Sequence, residues 1–499
     1  YNNNGVTIEQ YSVVRSAGGA ITIDGAAAGT VSSGPGDNPA VLVSGSIMAS
    51  SSHDTGLVTI TGATTGGSYG VSVDSTGAIY SGSRDVRLES QAVDGGVHVA
   101  GAVQAANLTV SGPLTLTNNP VLKARGAAQF DDITGIEGSG VSVIAGSISA
   151  VNISTLPPFN YDYDISGAAF GPTGAISLTA NAGSITTGNL TTSLANPAES
   201  FHASGAIMLK ALDDVSSGVI DTRIVSTSSN GYTENTVTGN AGAVRVVAQR
   251  GAIATENIST SSMTSQYQAG RGGDVFMTAG TGISTGAIVT SSEAAGVDAS
   301  STVGGGNVNL YANGGNVATG AIDTGSRLLT GYLVSSAGDA GAVILRAAED
   351  VTVSGNITAA SVNSNATSGS AGEVSLYALG GGLAVTGTID ATSTTGSGGN
   401  VTLFSIGNAS VVGTTVIASS DPAGLITSDA SIPGQITIVG NGDEYDSRVN
   451  LSGLAPNGDY IWKDAGSIAV MTPISGARNV ILSAGSNIDN DGLSPISSS

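Results

Sequence analysis

The chain has 499 residues, of which 74 are glycine and only 10% are charged, and its formal net charge is −22. This acidic balance excludes the clustered cations that nucleic-acid binding needs, and the absence of cysteine excludes disulfides and thiolate metal sites. No apolar run approaches the roughly 18 residues of a membrane span, so we expect none. Because the chain begins with Tyr1 rather than Met, we expect a processed chain or a piece of a longer one.

The N-terminal part, residues 1–140, shows short stretches in which apolar residues alternate with small polar ones. A period of two is the signature of a β-strand with one buried face. The spacing between stretches is irregular, which predicts strands joined by short corners of different length. Examples are Ile21/Ile23, Val41/Val43, Val58/Ile60, Val71/Val73, Val97/Val99 and Leu114/Leu116.

The middle part, residues 141–440, contains a regular repeat of the form Gly-x-Val-x-Leu-x-Ala. Its mean period between Ile176 and Ile436 is 32.5 residues, within the range that indicates a solenoid. Two further apolar stretches follow in each repeat, as at Val317 and Ile322. The copies begin at Gly174, Gly205, Gly242, Gly273, Gly306, Gly341, Gly372, Gly399 and Gly434.

Three short strands per repeat predict one coil of a right-handed parallel β-helix, an all-β solenoid. A strand of about five residues is not stable alone, but it can pair in parallel with its equivalent in the next coil. Val308, Leu310 and Ala312 would then face inward, and Asn309 and Tyr311 outward. At this period the chain holds roughly 15 coils.

Two stretches interrupt the pattern and are predicted to be insertion loops. The first covers residues 156–173, and the second covers residues 441–466 at the start of the C-terminal coils, 441–499. Between the regular strands, the Ser/Thr/Gly-rich stretches 226–240, 260–272, 291–304, 326–339 and 361–371 are predicted to line up as a variable edge.

The repeat, extended by Gly-x-Ile-x-Thr, resembles the haemagglutinin-type repeats of filamentous-haemagglutinin-like bacterial exoproteins of two-partner secretion. The resemblance covers about residues 170–440. It implies a β-helical rod outside the cell or on the bacterial surface, acting in adhesion or aggregation. The Asn-Pro-Asn and Asn-Ser-Asn-Gly motifs of the family's secretion domain do not occur, which leaves the export route open.

No combination of residues predicts a catalytic, cofactor or metal site. His53, His98 and His202 are far apart in sequence, and we expect them to be solvated. Carboxylates cluster in loops at Asp162/Asp164 and Asp443/Glu444/Asp446, and glycoside hydrolysis needs a pair at fixed separation. Asp489-Asn490-Asp491-Gly492 is interpreted as a solvated acidic turn, with adventitious calcium as the alternative.

The outward positions of the first strand carry unusually large apolar side chains. We predict that they form one wall, which is covered by the protein's own insertions, is scattered and half solvated, or packs laterally against another copy. These residues are Met208, Phe276, Tyr311, Ile344, Tyr377 and Phe404.

The expected function is that of a non-enzymatic extracellular adhesin or structural rod. Its partners would be other copies of itself, or a receptor or glycan on a cell surface. The first alternative is a self-assembling filament subunit, and the second is a β-helical polysaccharide-degrading enzyme or tailspike. The low aromatic content, 4%, disfavours the enzyme because sugar-binding grooves use aromatic platforms.

Overall fold

The structure is a computed structural model, and it describes most of the chain. It divides into two compact units, the first made of Tyr1–Tyr161, Gly171–Thr192 and Gly205–Val219, and the second of Asp162–Phe170, Ser193–Ser204 and Ile220–Ser499. The described residues are 5–16, 19–27, 39–49, 57–64, 69–92, 95–157, 172–195, 202–226, 238–265, 268–296, 299–330, 336–363, 367–405, 409–417, 436–440, 448–450, 459–464, 468–470, 474–477, 479–484, 488–490 and 496–498.

Both units are parallel β-helices, which confirms the predicted fold class. Each coil passes through a first, a second and a third sheet, and each strand pairs in parallel with its equivalent in the next coil. The first sheet of the first unit contains Val13–Ser16, Ser46–Ala49, Ala78–Ser81, Ala102–Ala105, Val121–Ala124, Val141–Ala145, Ile176–Ala180 and Ile207–Ala211. That of the second unit contains Val244–Ala248, Val275–Ala279, Val308–Ala312, Val343–Ala347, Val374–Ala378, Val401–Ser405, Ile436–Gly440, Asp459–Asp464 and Asn479–Ala484.

The second and third sheets complete each coil. The second sheet contains Ile21–Ala27, Val58–Thr64, Val86–Ser90, Leu108–Ser111, Ala127–Phe130, Ser147–Ala150, Ile185–Thr187 and Val215–Ser217 in the first unit, and Ile253–Thr255, Ile283–Ser284, Val317–Thr319, Val351–Val353 and Leu383–Val385 in the second. The third contains Val6–Ile8, Val41–Val43, Val71–Val73, Val97–Val99, Leu114–Leu116, Ile133–Gly135, Ile153–Thr155 and Leu190–Thr191, and then Ile220–Asp221, Ile258–Ser259, Ile288–Val289, Ile322–Asp323, Ile357–Thr358 and Ile389–Asp390.

The C-terminal strands continue the parallel pairing. Within the range expected to be the second insertion, Arg448–Asn450 and Asp459–Asp464 are strands that pair with their neighbours. The first expected insertion lies almost wholly outside the described residues. The remaining strands of this region are Ala409–Ile417, Ile468–Val470, Ile474–Ala477, Ile488–Asn490 and Ile496–Ser498.

The length of a coil varies while its pairing stays in register. The first-sheet partners Val103 and Leu122 are 19 residues apart, and Leu310 and Leu345 are 35 residues apart. Both pairs occupy equivalent inward positions, so the extra residues lie in the corners. Among the described residues, the first sheet has eight strands in the first unit and nine in the second, close to the roughly 15 coils expected from the mean period.

The core consists of inward columns that alternate strictly with outward ones, as the sequence predicts. Val275, Val308 and Val343 stack as partners, and all three are fully buried. Alanine fills the narrow end of the strand, where Ala312 pairs with Ala347. The described part of the chain contains no helix long and apolar enough to cross a membrane.

The variable stretches of the second unit form a fourth sheet with its own interior. Its serines point inward, and the hydroxyls of Ser292 and Ser361 donate to the carbonyls of Gly270 and Gly338 at 2.7 and 2.8 Å. A small apolar cluster includes Leu328, which is fully buried. The strands are Leu194–Ala195, Ile224–Ser226, Ser262–Thr264, Ser292–Ala295, Ser326–Thr330 and Ser361–Asn363, and a separate pair is Gln268–Arg271 with Ser301–Gly304.

The glycine that opens each repeat allows consecutive coils to approach closely. A Cβ atom added to Gly341 would lie far inside 3.0 Å of the Gly306 carbonyl oxygen, and one on Gly372 would meet the Gly341 carbonyl in the same way. The Gly341 N–H donates to the Thr324 carbonyl at 2.8 Å. The Thr324 hydroxyl in turn donates to the Gly341 carbonyl at 2.6 Å. These two hydrogen bonds join the end of one coil to the start of the next.

We expect charge to be rejected by the inward columns and tolerated by the outward ones. Leu345→Asp should lower the free energy of unfolding by at least about 3 kcal/mol, because it buries an unpaired carboxylate. Asn309→Asp on the adjacent coil should change it by less than about 0.5 kcal/mol. Chemical denaturation measures both, and equal stability of Leu345→Asp and the parent would contradict the register.

We also expect the glycine column to reject even a methyl group. Gly341→Ala should destabilise the protein by about 2 kcal/mol or more, because the Gly306 carbonyl has to move. Gly82→Ala is the matched control, since a Cβ there meets nothing within 4 Å, and it should be neutral or stabilising by about 0.5 kcal/mol. Thermal unfolding of the two variants distinguishes close approach from a general effect of losing glycine.

Candidate functional site

Five of the six predicted wall residues lie in two neighbouring outward columns of the first sheet of the second unit. Phe276 pairs with Asn309, which pairs with Ile344 in the next coil. Tyr311 belongs to the other column. That column continues through Arg346, Tyr377 and Phe404, so two of its aromatic residues are direct neighbours. Met208 is in the first unit and is 46% exposed.

Aromatic and guanidinium groups of this wall contact one another in the second unit. The ring of Phe276 lies 5.7 Å from that of Tyr311, between centroids and across the two columns. Tyr377 and Phe404 lie 6.2 Å apart within one column. The Arg245 guanidinium lies 4.7 Å from the centre of the Phe276 ring, a cation–π distance. We call Arg245, Phe276, Tyr311, Ile344, Arg346, Tyr377 and Phe404 the aromatic wall.

The aromatic wall is partly buried by its own packing. Phe276, Tyr311, Ile344, Tyr377 and Phe404 all have intermediate exposure. Partial burial limits the rotamers of these side chains, so a partner would gain apolar contact with little loss of side-chain entropy. These side chains are therefore preorganised for contact with an apolar surface.

The expectation that His98 is an isolated, solvated side chain is wrong. Ser72 pairs with it in the neighbouring coil of the third sheet, and its hydroxyl lies 2.9 Å from His98 Nδ1. Nε2 lies 2.9 Å from the Thr117 hydroxyl, and the ring stacks on Tyr69 at 4.9 Å between centroids. The sequence signal for this contact is the similarity of Val-Ser-Val at 71–73 to Val-His-Val at 97–99, which indicates equivalent strands of neighbouring coils.

The His98 cluster is a packed polar structure rather than a nucleophilic site. Ser72 is only 6% exposed, and hydroxyl groups occupy both ring nitrogens of His98, where a catalytic base would be oriented by a carboxylate. Burial lowers the pKa of His98 and raises that of Tyr69. Burial opposes ionisation of Asp74, but hydrogen bonds from Ser44, Thr76 and backbone N–H groups hold its pKa below the usual value.

Asparagine side chains link successive coils. The Oδ1 atom of Asn152 accepts from the Asn189 N–H at 2.9 Å, and Asn189 Oδ1 accepts from the Val219 N–H at 3.0 Å. Asn257 does the same for the Ala287 N–H at 2.8 Å. These asparagine side chains therefore supplement the backbone hydrogen bonds between coils.

Several of the described carboxylates make similar links. Asp274 accepts from the Asn307 N–H at 2.7 Å and also pairs with Arg271 at 2.7 Å. Among the described residues, no group of three or more His, Asp or Glu side chains could hold a metal ion. Asp489 and Asn490 end the strand Ile488–Asn490. The remaining acidic positions of the sequence analysis lie outside the described residues: Asp162, Asp164, Asp443, Glu444, Asp446 and Asp491.

No family model matches the sequence, and no curated protein or solved structure matches it.

Protonation of His98 should destabilise the first unit. Because burial lowers its pKa below the ordinary 6.5, the unfolded chain takes up the proton first as the pH falls, so stability decreases from about pH 7 downward and levels off below the folded-state pKa. His98→Gln should flatten this part of the stability profile. His202→Gln is the control, and an identical profile for the parent and His98→Gln would contradict the assignment.

Proposed function

We propose that this protein is a non-enzymatic extracellular β-helical adhesin or structural component, which attaches a bacterial cell to other cells or surfaces. The resemblance of its repeats to filamentous-haemagglutinin-like exoproteins supports the extracellular role. The parallel β-helix is compatible with many functions, so the proposal depends on the surface rather than on the fold.

The observation that carries the proposal is the aromatic wall. Interface cores are enriched in Tyr, Phe and Arg and depleted in carboxylates, and the wall has this composition within a chain of net charge −22. Arg245 and Phe276 are already in contact at 4.7 Å, so a binding partner would meet a preformed surface. A protein receptor or a glycan on the target cell is the partner that fits.

The alternative is a filament subunit in which the same wall packs against another copy. The half-buried rings of Tyr377 and Phe404 favour it as much as they favour a receptor, since both partners would bury apolar surface.

The test is the triple variant Phe276→Ser, Ile344→Ser, Phe404→Ser. Beads coated with it should adhere to target cells at least about tenfold less than beads coated with the parent, because loss of a hot spot typically removes about 2 kcal/mol or more. The melting temperature should stay close to that of the parent, since all three residues are outward.

The matched control is Ala254→Ser, Ala318→Ser, Ala384→Ser, which adds three serines to the outer face of the second sheet of the same unit. It should adhere like the parent. Equal adhesion of both triple variants would remove the proposal. Loss of concentration-dependent assembly by the wall variant, with adhesion unchanged, would favour the filament.

A further inference from the structure

The outer face of the first sheet in the first unit has a charge pattern opposite to that of the whole chain. Its eight strands offer two outward positions each, and three of these positions are cationic while none is a carboxylate. The chain as a whole has 37 acidic and 15 basic residues. The three cations are Arg15, Lys123 and Lys210, and all are exposed.

These cations are not neutralised by the protein itself. Lys123 and Lys210 form no ion pair with any residue that the structure describes, and Arg15 reaches only the Met48 sulfur, at 3.8 Å. By contrast, Arg87 on the second sheet of the same unit pairs with Glu89 at 3.2 Å. The free ammonium groups are therefore available to an external anion.

Large apolar side chains stand between the cations on the same face. Tyr80 is 43% exposed, Ile144 37% and Met208 46%. Lys123 pairs directly with Ile144 in the next coil, and Met208 is two residues from Lys210 on one strand. The other two sheets of this unit present mainly small polar residues outward, such as Thr109 and Ser149.

We propose that this face, which we call the cationic face, docks on an anionic lipid surface. Surfaces that bind at the membrane interface combine exposed apolar side chains with lysine and arginine, and each cation near an anionic membrane strengthens binding. Long lysine side chains can keep their ammonium at the headgroups while neighbouring apolar groups sink deeper. Lys123 beside Ile144 has this arrangement.

A lipid fits this face better than a protein or a glycan does. Protein interface cores are depleted in lysine and rich in aromatic residues, whereas the cationic face has two lysines, aliphatic side chains and one aromatic residue, Tyr80. Aliphatic groups such as Ile144 and Met208 do not provide the flat rings on which sugars stack. The aromatic wall of the second unit has the contrasting composition, so the two faces differ in their partners.

Because the chain has a net charge of −22, only a face without carboxylates can approach a negative surface closely. At about 0.1 M salt, repulsion from acidic residues more than about 10 Å from the membrane is screened, so the cations nearest the membrane dominate. High salt should weaken binding, since it screens the attraction of the cations as well.

The experiment is flotation of the full chain with mixed phosphatidylcholine–phosphatidylglycerol vesicles, compared with pure phosphatidylcholine vesicles. The parent should float with the mixed vesicles at about 0.1 M salt, and flotation should fall at about 1 M salt, where the attraction of the cations is screened as well. Lys123→Gln, Lys210→Gln should lower the affinity by about 25-fold, from roughly fivefold for each cation. Ile144→Ser, Met208→Ser should lower it as well at unchanged charge.

The matched control is Arg87→Gln, Arg223→Gln, which changes the net charge equally but removes arginines that pair with Glu89 and Asp221 outside the cationic face. It should bind like the parent, and all variants should keep the parent's melting temperature. Failure of the parent to float, or equal loss in the control, would overturn the proposal. So would self-association of the parent that the lysine variant abolishes, since the face would then belong to a second copy. The aromatic-wall triple variant should still float, which separates this result from the adhesion test.

Discussion

The close approach of consecutive coils at the repeat glycines is the constraint on which the rest of the fold depends. At Gly341, the space that a side chain would need is already occupied by the carbonyl of Gly306. That contact fixes where each coil begins, and the strand that follows must then place Val343 above Val308. Because the period of a strand is two, fixing one residue decides which side chains face the core. The apolar columns therefore follow from the glycine column.

The same arrangement gives many of the buried small polar residues a hydrogen-bond partner on the backbone. Thr290 is fully buried, and its hydroxyl donates to the Gly306 carbonyl at 2.6 Å. Its backbone carbonyl accepts from the Gly306 N–H at 2.7 Å. Serine hydroxyls of the fourth sheet likewise donate hydrogen bonds to the carbonyls of other glycines. A composition rich in Ser, Thr and Gly thus suits an interior in which polar side chains complete each turn of the backbone.

The fold could be predicted because each coil repeats the same local signals. Within Gly-x-Val-x-Leu-x-Ala the apolar residues recur with a period of two, and the spacing between copies gives the length of the coil. The first three sheets therefore follow from the sequence. The fourth sheet does not, since its inward residues, such as Ser262 and Ala294, are small and resemble a corner. Contacts between coils could not be predicted either. Ser72 pairs with His98, but predicting this pair requires the length of each coil, which varies. The residues of the aromatic wall could be predicted from the period of two. Their division into two columns required the register of strand pairing between coils.

The variation of coil length at constant register has a genetic consequence. Val275 pairs with Val308, and Val308 pairs with Val343, so the three positions are chemically interchangeable. Recombination that deletes the codons from 308 to 342 would place Val343 directly on Val275 and leave the ladder intact. Duplication would insert a coil by the same logic. A gene of this kind can therefore change the number of its coils in single steps, and selection on reach can act separately from selection on the surfaces that bind.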